Sequence, residues 1–250
     1  SSSSSKLAKH AIMMNVAAQI IENNLLYYLE FRRKPIALEH LFLIGGKELC
    51  PKIQSEQNFF DEQFQRLSQE GSTIDSSKFD GCSFVDCNFN ETSFRGCRFI
   101  DCCFCGCDLS LVQVANCTFT RVAFESCKSI GINWAQANWS GTGVQKKVSF
   151  VESAINHSTF IGLDLTGIKI LNCSVHEVDF RESDLTEADF SGSDLTKSIF
   201  GNTILTGADL SHTRNYQIDP CGNKLTGAKF SLPEALALLY SMDILLDEDM

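Results

Sequence analysis

Four cysteines crowd one short segment of the chain and are the first candidates for chemistry. The segment reads Asp101-Cys102-Cys103-Phe104-Cys105-Gly106-Cys107, and closely spaced thiols are the ligands of structural zinc sites. The chain of 250 residues holds twelve cysteines in all, a number that also fits a framework of disulfide bonds. Both kinds of chemistry need side chains that converge, so the elements that position these cysteines decide between them.

A bulky apolar residue returns at every fifth position from Ile74 to Leu210. Of 28 such positions 27 are apolar, with Ser129 as the exception, and the count slips by one residue between Val144 and Phe150. Neither a helix, with about 3.6 residues per turn, nor a strand, with a period of about 2, repeats every five residues. A short period held over this length predicts a repeat solenoid.

A second rule places mostly small, uncharged residues two positions before each bulky one. Two inward positions per five, one large and one small, fill a narrow core without voids. Eight cysteines occupy the small position: Cys82, Cys87, Cys97, Cys102, Cys107, Cys117, Cys127 and Cys173. Cys102 and Cys107 should therefore point inward and Cys103 and Cys105 outward, so the four thiols cannot converge. We expect packing cysteines, with no metal and no cofactor.

The segments Ala188-Asp189-Phe190-Ser191-Gly192 and Ala208-Asp209-Leu210-Ser211-His212 resemble those of pentapeptide-repeat proteins. This resemblance implies an all-β solenoid, a right-handed quadrilateral β-helix with four pentapeptides per coil. Residues twenty positions apart should then stack on neighbouring coils, and 28 pentapeptides give about seven coils. We expect the one-residue slip to appear as a bulge or small loop at 145–149.

Residues 1–71 precede the repeat and are predicted to form an N-terminal helical segment. Lys6 to Arg33 lacks glycine and proline and predicts one helix. A second helix is predicted from Glu56 to Gln69, with Ser55 as its N-cap. An apolar stripe of Phe60, Phe64 and Leu67 supports it. The segment either covers the open end of the solenoid or binds a partner.

The repeat domain is assigned to residues 72–230, and residues 231–250 to a C-terminal helix with an acidic tail. Ser231 and Glu234 have the spacing of a capping box, which predicts a helix from Leu232 to Met242. One face of this helix carries four apolar residues, namely Leu232, Leu236, Leu239 and Tyr240. The helix either caps the solenoid or forms a dimer contact.

No arrangement of residues typical of a catalytic site occurs in the sequence. The five histidines are scattered and none lies in a metalloprotease-type motif. Carboxylates on a convex rod face solvent rather than a cleft that would shift their pKa. We therefore expect a protein that is not an enzyme. Many free thiols favour the cytoplasm, and no apolar run is long enough to span a membrane.

Aspartates just before the bulky position are the remaining candidates for function. The net charge is −10, which argues against direct binding of nucleic acid. The simpler interpretation is that these charged residues only keep a long rod soluble. The alternative is an acidic stripe that imitates DNA and binds a basic groove. The candidate residues are Asp164, Asp179, Asp184, Asp189, Asp194 and Asp209.

Among pentapeptide-repeat proteins the chain is most similar to Qnr- and MfpA-like proteins. The similarity lies in Ser-Ile-Gly-Ile at 129–132, Phe-Ser-Gly-Ser-Asp-Leu at 190–195 and the terminal helix. It implies a partner, DNA gyrase or topoisomerase IV, that is protected from quinolones. It also implies a homodimer joined through the C-terminal helix. The second hypothesis is a protein-interaction scaffold, such as a bacterial effector or adaptor, in which residues 1–71 do the binding.

Overall fold

Short strands of two to four residues make up most of the regular structure in the computed structural model, which describes residues 52–139 and 148–244. The strands are β1 (Asn58–Phe60), β2 (Gln63–Gln65), β3 (Thr73–Asp75), β4 (Lys78–Asp80), β5 (Ser83–Val85), β6 (Ser93–Arg95), β7 (Arg98–Ile100), β8 (Cys103–Cys105), β9 (Thr118–Thr120), β10 (Val122–Glu125), β11 (Val148–Val151), β12 (Lys169–Leu171), β13 (Asp209–Leu210) and β14 (Lys229–Phe230). A 3₁₀ helix at Trp134–Gln136 and one helix, α1 (Leu236–Tyr240), complete the list. Within these two ranges no helix has the length and apolarity needed to cross a membrane.

Each strand pairs in parallel with the strand one coil away. Phe79 lies opposite Phe99 and Phe84 opposite Phe104, so the predicted spacing of 20 residues is confirmed. The strands form a four-stranded sheet β1-β4-β7-β9, a six-stranded sheet β2-β5-β8-β10-β11-β12 and the pairs β3-β6 and β13-β14. Isolated bridges continue the same register beyond β12. The result is a solenoid of about eight coils rather than seven, with four five-residue sides in a regular coil.

Stacked aromatic rings fill the core of the solenoid. The Phe84 and Phe104 rings are parallel with centroids 4.5 Å apart, and Phe104 and Phe124 follow at 5.1 Å. These separations match the spacing of hydrogen-bonded strands, about 4.8 Å, because each ring sits directly above its partner in the neighbouring coil. The period of five therefore places one bulky side chain per coil in register on each side.

One coil is longer than the others. Phe124 pairs with Phe150 and Lys128 with Ala154, a separation of 26 residues where other coils have 20. Trp139 is still next to Phe119, with ring centroids 6.5 Å apart and planes tilted by 31°. The six additional residues therefore lie between Trp139 and Val148, which pairs with Val122. The predicted one-residue slip was an undercount, because Val144 continued the period of five by coincidence. Residues 140–147 lie outside the described ranges, and most of the predicted bulge at 145–149 lies with them.

The predicted helix from Glu56 to Gln69 is wrong, because this segment contains strands β1 and β2 of a further coil. Phe59 and Phe64 stack on Phe79 and Phe84. The side chain of Phe60, which the helical stripe required to be buried, is 59% exposed. Residues 52–71 therefore belong to the solenoid. The predicted helix from Lys6 to Arg33 lies outside the described residues.

The C-terminal helix is much shorter than the predicted span from Leu232 to Met242. α1 covers five residues, and Ala235 stands at its N-cap position without a side-chain hydrogen bond. Ser231 is not the cap, because its hydroxyl accepts a hydrogen bond from the backbone N–H of His212. Residues before α1 form tight turns, such as Leu236 N–H donating to the Pro233 carbonyl. The capping-box assignment is therefore wrong. Strand β14 places Phe230 in the repeat, opposite Leu210 of β13.

Candidate functional site: the outer surface of the solenoid

Aspartate before the bulky residue has a local role in the fold of the repeat. In all six predicted site residues the carboxylate Oδ1 accepts a hydrogen bond from the backbone N–H two residues later. Asp184, for example, accepts from the Thr186 N–H at 2.9 Å and from its hydroxyl at 2.6 Å. This is the local turn geometry that aspartate favours. The repeat therefore calls for aspartate at this position whether or not a partner binds there.

The six aspartates do not form one stripe. Asp164 lies beside Asp184 on one side of the solenoid, and Asp189 beside Asp209 on the next side. Asp179 and Asp194 occupy the remaining two sides, since all four sides follow one another at five-residue intervals. The prediction that Asp164 stacks with Asp184 and Asp189 with Asp209 is confirmed. The negative charge of these aspartates therefore lies on four sides of the solenoid rather than in one stripe. The two stacked aspartate pairs occupy adjacent sides.

The two stacked pairs flank one edge, and together with Glu187 they form what we call the acidic corner. It consists of Asp164, Asp184, Glu187, Asp189 and Asp209. Asp164 and Glu187 are exposed and the other three are half-buried. In the described part of the chain, no lysine or arginine nitrogen lies within 4.0 Å of the Asp184 or Asp189 carboxylate, whereas Lys229 is 3.4 Å from Asp209. Like charges on neighbouring strands lower stability. Lys169 and Lys229 lie opposite Asp189 and Asp209 on the coils to either side and offset part of this repulsion.

The aspartates on the other two sides are engaged by cations. Asp179 forms an ion pair with Arg181 at 2.7 Å, and the hydrogen bond from this guanidinium lowers the pKa of Asp179. Asp194 lies 3.6 Å from His176 and 4.0 Å from Arg214. Burial alone would raise the pKa of Asp194, but hydrogen bonds from Thr196 and Asn215 outweigh it and lower the pKa to about 2. These two carboxylates are less available to a partner than those of Asp184 and Asp189.

Apolar side chains are exposed around α1, at the end of the described chain. Leu232 is 77% exposed, Leu236 38% and Tyr240 50%, whereas Leu239 is half-buried. Ala237 and Leu238, on the opposite face of α1, pack against the core. Three of the four predicted dimerisation residues are thus accessible. With Met242 and Ile244, which are also exposed, they form what we call the terminal apolar patch.

The cysteines lie where the period of five placed them. All eight at the small position are buried, and the thiols of Cys102 and Cys107 donate to the backbone carbonyls of Phe79 and Phe84. Cys103 and Cys105 flank the buried Phe104 on the outer face, with their sulfur atoms 3.1 Å apart. Sequence reasoning missed a third member of this cluster, Glu125. The signal was available, because Glu125 lies twenty residues after Cys105.

The fold and surface define a class of protein, a parallel β-solenoid built from five-residue repeats with polar side chains outside. A family model described as a pentapeptide repeat region matches residues 77–148 and 146–210. The chain belongs to the pentapeptide repeat family.

Solved structures of this family are similar to the chain. QnrB1, a plasmid-mediated fluoroquinolone resistance protein, is 18% identical with a TM-score of 0.54, covering 78% of this chain and 99% of that one. HetL, from the cyanobacterium Nostoc sp. strain PCC 7120 and involved in heterocyst differentiation regulation, is 17% identical with a TM-score of 0.57. That match covers 70% of this chain and 85% of HetL. No curated protein sequence is similar enough to register as a match. Likeness at these identities concerns the fold.

Proposed function

We propose that this protein is a non-enzymatic binding protein whose acidic corner imitates the charge of a DNA duplex and binds DNA gyrase or topoisomerase IV. The observation that carries the proposal is the placement of five carboxylates around one edge of three successive coils. Their neighbours on the same coils are mostly threonine, serine and glycine. A basic DNA-binding groove would meet negative charge there with little steric obstruction.

The charge density of the acidic corner is comparable with that of DNA. Two coil spacings of about 4.8 Å each separate Asp164 from Asp209, so five carboxylates lie within about 10 Å. Duplex DNA carries one charge per about 1.7 Å of its axis. The acidic corner thus resembles about three base pairs of DNA in length and number of acidic groups, although Lys169 opposite Asp189 and Lys229 beside Asp209 offset part of the charge. Such complementarity raises association rates and selects basic partners.

The identity of the partner rests on resemblance to the Qnr- and MfpA-like proteins. QnrB1 is a fluoroquinolone resistance protein and shares the fold of this chain. Protection of a topoisomerase from quinolones is accordingly the first activity to test. A solenoid that occupies the DNA-binding groove would compete with DNA, and it would therefore inhibit the enzyme or change its response to the drug.

The test is a supercoiling assay with purified gyrase, with and without ciprofloxacin, and a decatenation assay with topoisomerase IV. We expect the wild-type protein to alter one of these activities. We expect the double variant Asp184→Asn/Asp189→Asn to require about tenfold more protein, because it removes two of five charges. Asparagine retains the Oδ1 acceptor that the turn needs.

Asp108→Asn is a matched control, because Asp108 accepts the same hydrogen bond from the Ser110 N–H at 3.0 Å and lies outside the acidic corner. It should behave as the wild type, and Asp189→Asn alone should give an intermediate effect. If the wild-type protein leaves both enzymes and their drug response unchanged, the topoisomerase hypothesis fails. If it acts and the double variant acts equally well, the acidic corner is not the binding surface.

A protein-interaction scaffold, such as an effector or adaptor, is the second candidate. The observation that favours it is the distribution of charge over all four sides, with Asp179 and Asp194 already in ion pairs. A competition experiment with short duplex DNA discriminates between the DNA-mimic and the scaffold hypotheses. A partner bound through DNA mimicry is displaced by the duplex, whereas a scaffold partner remains bound.

We also propose a homodimer formed through the terminal apolar patch. Two copies related by a twofold axis would present the same patch to each other. Burying Leu232, Leu236 and Tyr240 in this way would remove the exposed apolar surface of the terminal apolar patch from water.

A further inference from the structure

Cys103, Cys105 and Glu125 form a compact group of metal-binding side chains on the outer face of the solenoid. Their ligand atoms all lie within 4.8 Å of one another. The two sulfur atoms are 3.1 Å apart, and Cys105 Sγ is 3.8 Å from Glu125 Oε2. All three side chains are half-buried, so a small ion can reach them without opening the core.

The fold brings these residues together in two steps. Cys103 and Cys105 belong to the same strand, β8, and alternate with the buried Phe104, so both point outward. Glu125 of β10 lies directly opposite Cys105 on the next coil. The group is therefore a product of the twenty-residue register, which places the carboxylate beside the two thiols.

We propose that Cys103, Cys105 and Glu125 bind a thiophilic divalent cation of the zinc class, with a water molecule as the fourth ligand. Two thiolates and one carboxylate are ligands that zinc takes in open, four-coordinate sites. Binding displaces two thiol protons to solvent and leaves the site with one negative charge. The cation joins two successive coils on their outer side.

The distances are close to those that a tetrahedral ion imposes. With zinc–sulfur bonds of about 2.3 Å and zinc–oxygen bonds of about 2.0 Å, the expected separations are about 3.8 Å between sulfur atoms and about 3.5 Å from sulfur to oxygen. The sulfur atoms must separate by about 0.7 Å and Cys105 must approach Glu125 by about 0.3 Å. Small rotations of the outward side chains provide both movements without displacing the backbone.

The residues opposite the two cysteines on the neighbouring coils are small or apolar. Ser83 and Ala123 lie opposite Cys103 on the coils to either side, and Val85 lies opposite Cys105. None of Ser83, Ala123 and Val85 carries a charge that would compete with the cation for the thiolates. The interior cysteines differ, because their thiols point into the core and bond to backbone carbonyls.

The experiment measures Zn²⁺ binding to the reduced 250-residue chain by isothermal titration calorimetry. Cd²⁺ serves as the spectroscopic probe through its thiolate-to-metal absorbance in the ultraviolet. We expect one tight site per chain, lost in Cys103→Ser/Cys105→Ser and weakened about tenfold or more in Glu125→Gln. Serine fits this face, since Ser83 holds the position opposite Cys103. Zn²⁺ should also raise the melting temperature of the wild type but not of the double variant.

Two matched controls exclude other thiols and carboxylates. Cys221→Ser removes an exposed cysteine outside the group, and Glu91→Gln removes an exposed carboxylate on another side; both should bind as the wild type does. Equal binding by the wild type and the cysteine double variant, or no binding by the wild type, overturns the proposal. Loss of binding in the double variant with no effect of Glu125→Gln overturns the three-ligand assignment.

Discussion

Asp194 carries the largest number of contacts among the candidate aspartates. Its carboxylate accepts hydrogen bonds from the Thr196 N–H and hydroxyl and from the Asn215 amide, and it faces His176 and Arg214. Each of these contacts favours the ionised form. These contacts give Asp194 a role in stabilising the solenoid, whether or not a partner binds there.

Asp194 should contribute a pH-dependent part of the stability. Its folded pKa of about 2 lies below the ordinary value of about 3.9, so the unfolded chain takes up the proton first. The contribution is therefore present above about pH 4 and is lost as the pH falls toward 2. We expect Asp194→Asn to be less stable than the wild type at neutral pH and to lose less stability between pH 4 and 2, measured by urea unfolding.

Asp108→Asn serves as the control for the Asp194 experiment, because it removes one charge from the same kind of turn without the contacts of His176 and Asn215. Parallel pH profiles for the wild type and Asp194→Asn would contradict the role assigned to these contacts.

At the scale of the element, the period of five predicted the strands well where a bulky residue was unambiguous. The strand prediction failed where a helical period and the period of five fitted the same segment. Phe60, Phe64 and Leu67 fit a helical stripe, but Phe59 and Phe64 fit the repeat, and parallel pairing with the next coil decided the outcome. Pairing with a neighbour twenty residues away is a tertiary effect that local propensity does not contain.

The outer surface of the solenoid was predictable from the sequence only in part. The aspartate positions followed from the repeat, but their distribution over four sides required the register to be applied to every residue. Glu125 beside Cys105 was accessible by the same step. The short α1 was not, because the hydroxyl of Ser231 bonds to His212 on the preceding coil instead of capping the helix.

The terminal apolar patch gives a prediction for α1 as an element. Leu236→Asp places a charge in the middle of the proposed contact, so we expect it to convert a dimer into a monomer in light scattering. The fold should persist, because Leu236 is already partly exposed while Ala237 and Leu238 hold α1 on the core. Leu111→Asp, at a residue 51% exposed on an earlier coil, is the matched control and should leave the mass unchanged. An unchanged mass for Leu236→Asp removes α1 from the interface.

At the scale of the whole molecule, each coil contacts only its neighbours, so stability is close to a sum over coils and their interfaces. Phe104 stacks on rings in both neighbouring coils. Phe230 lies in β14, which within the described chain pairs with β13 alone. Replacement by alanine should therefore lower the stability by different amounts at Phe104 and Phe230. It should also affect different numbers of coils.

We expect Phe104→Ala to lower the free energy of unfolding by about 3–5 kcal/mol, because it leaves a cavity in a column of stacked rings. Phe230→Ala should cost less, since Phe230 is only half-buried. Hydrogen exchange should show lost protection in β5, β8 and β10 for the first variant, and in β13 and β14 for the second. Uniform loss of protection along the solenoid in both variants would show that the coils unfold as one unit and that their interfaces are not independent.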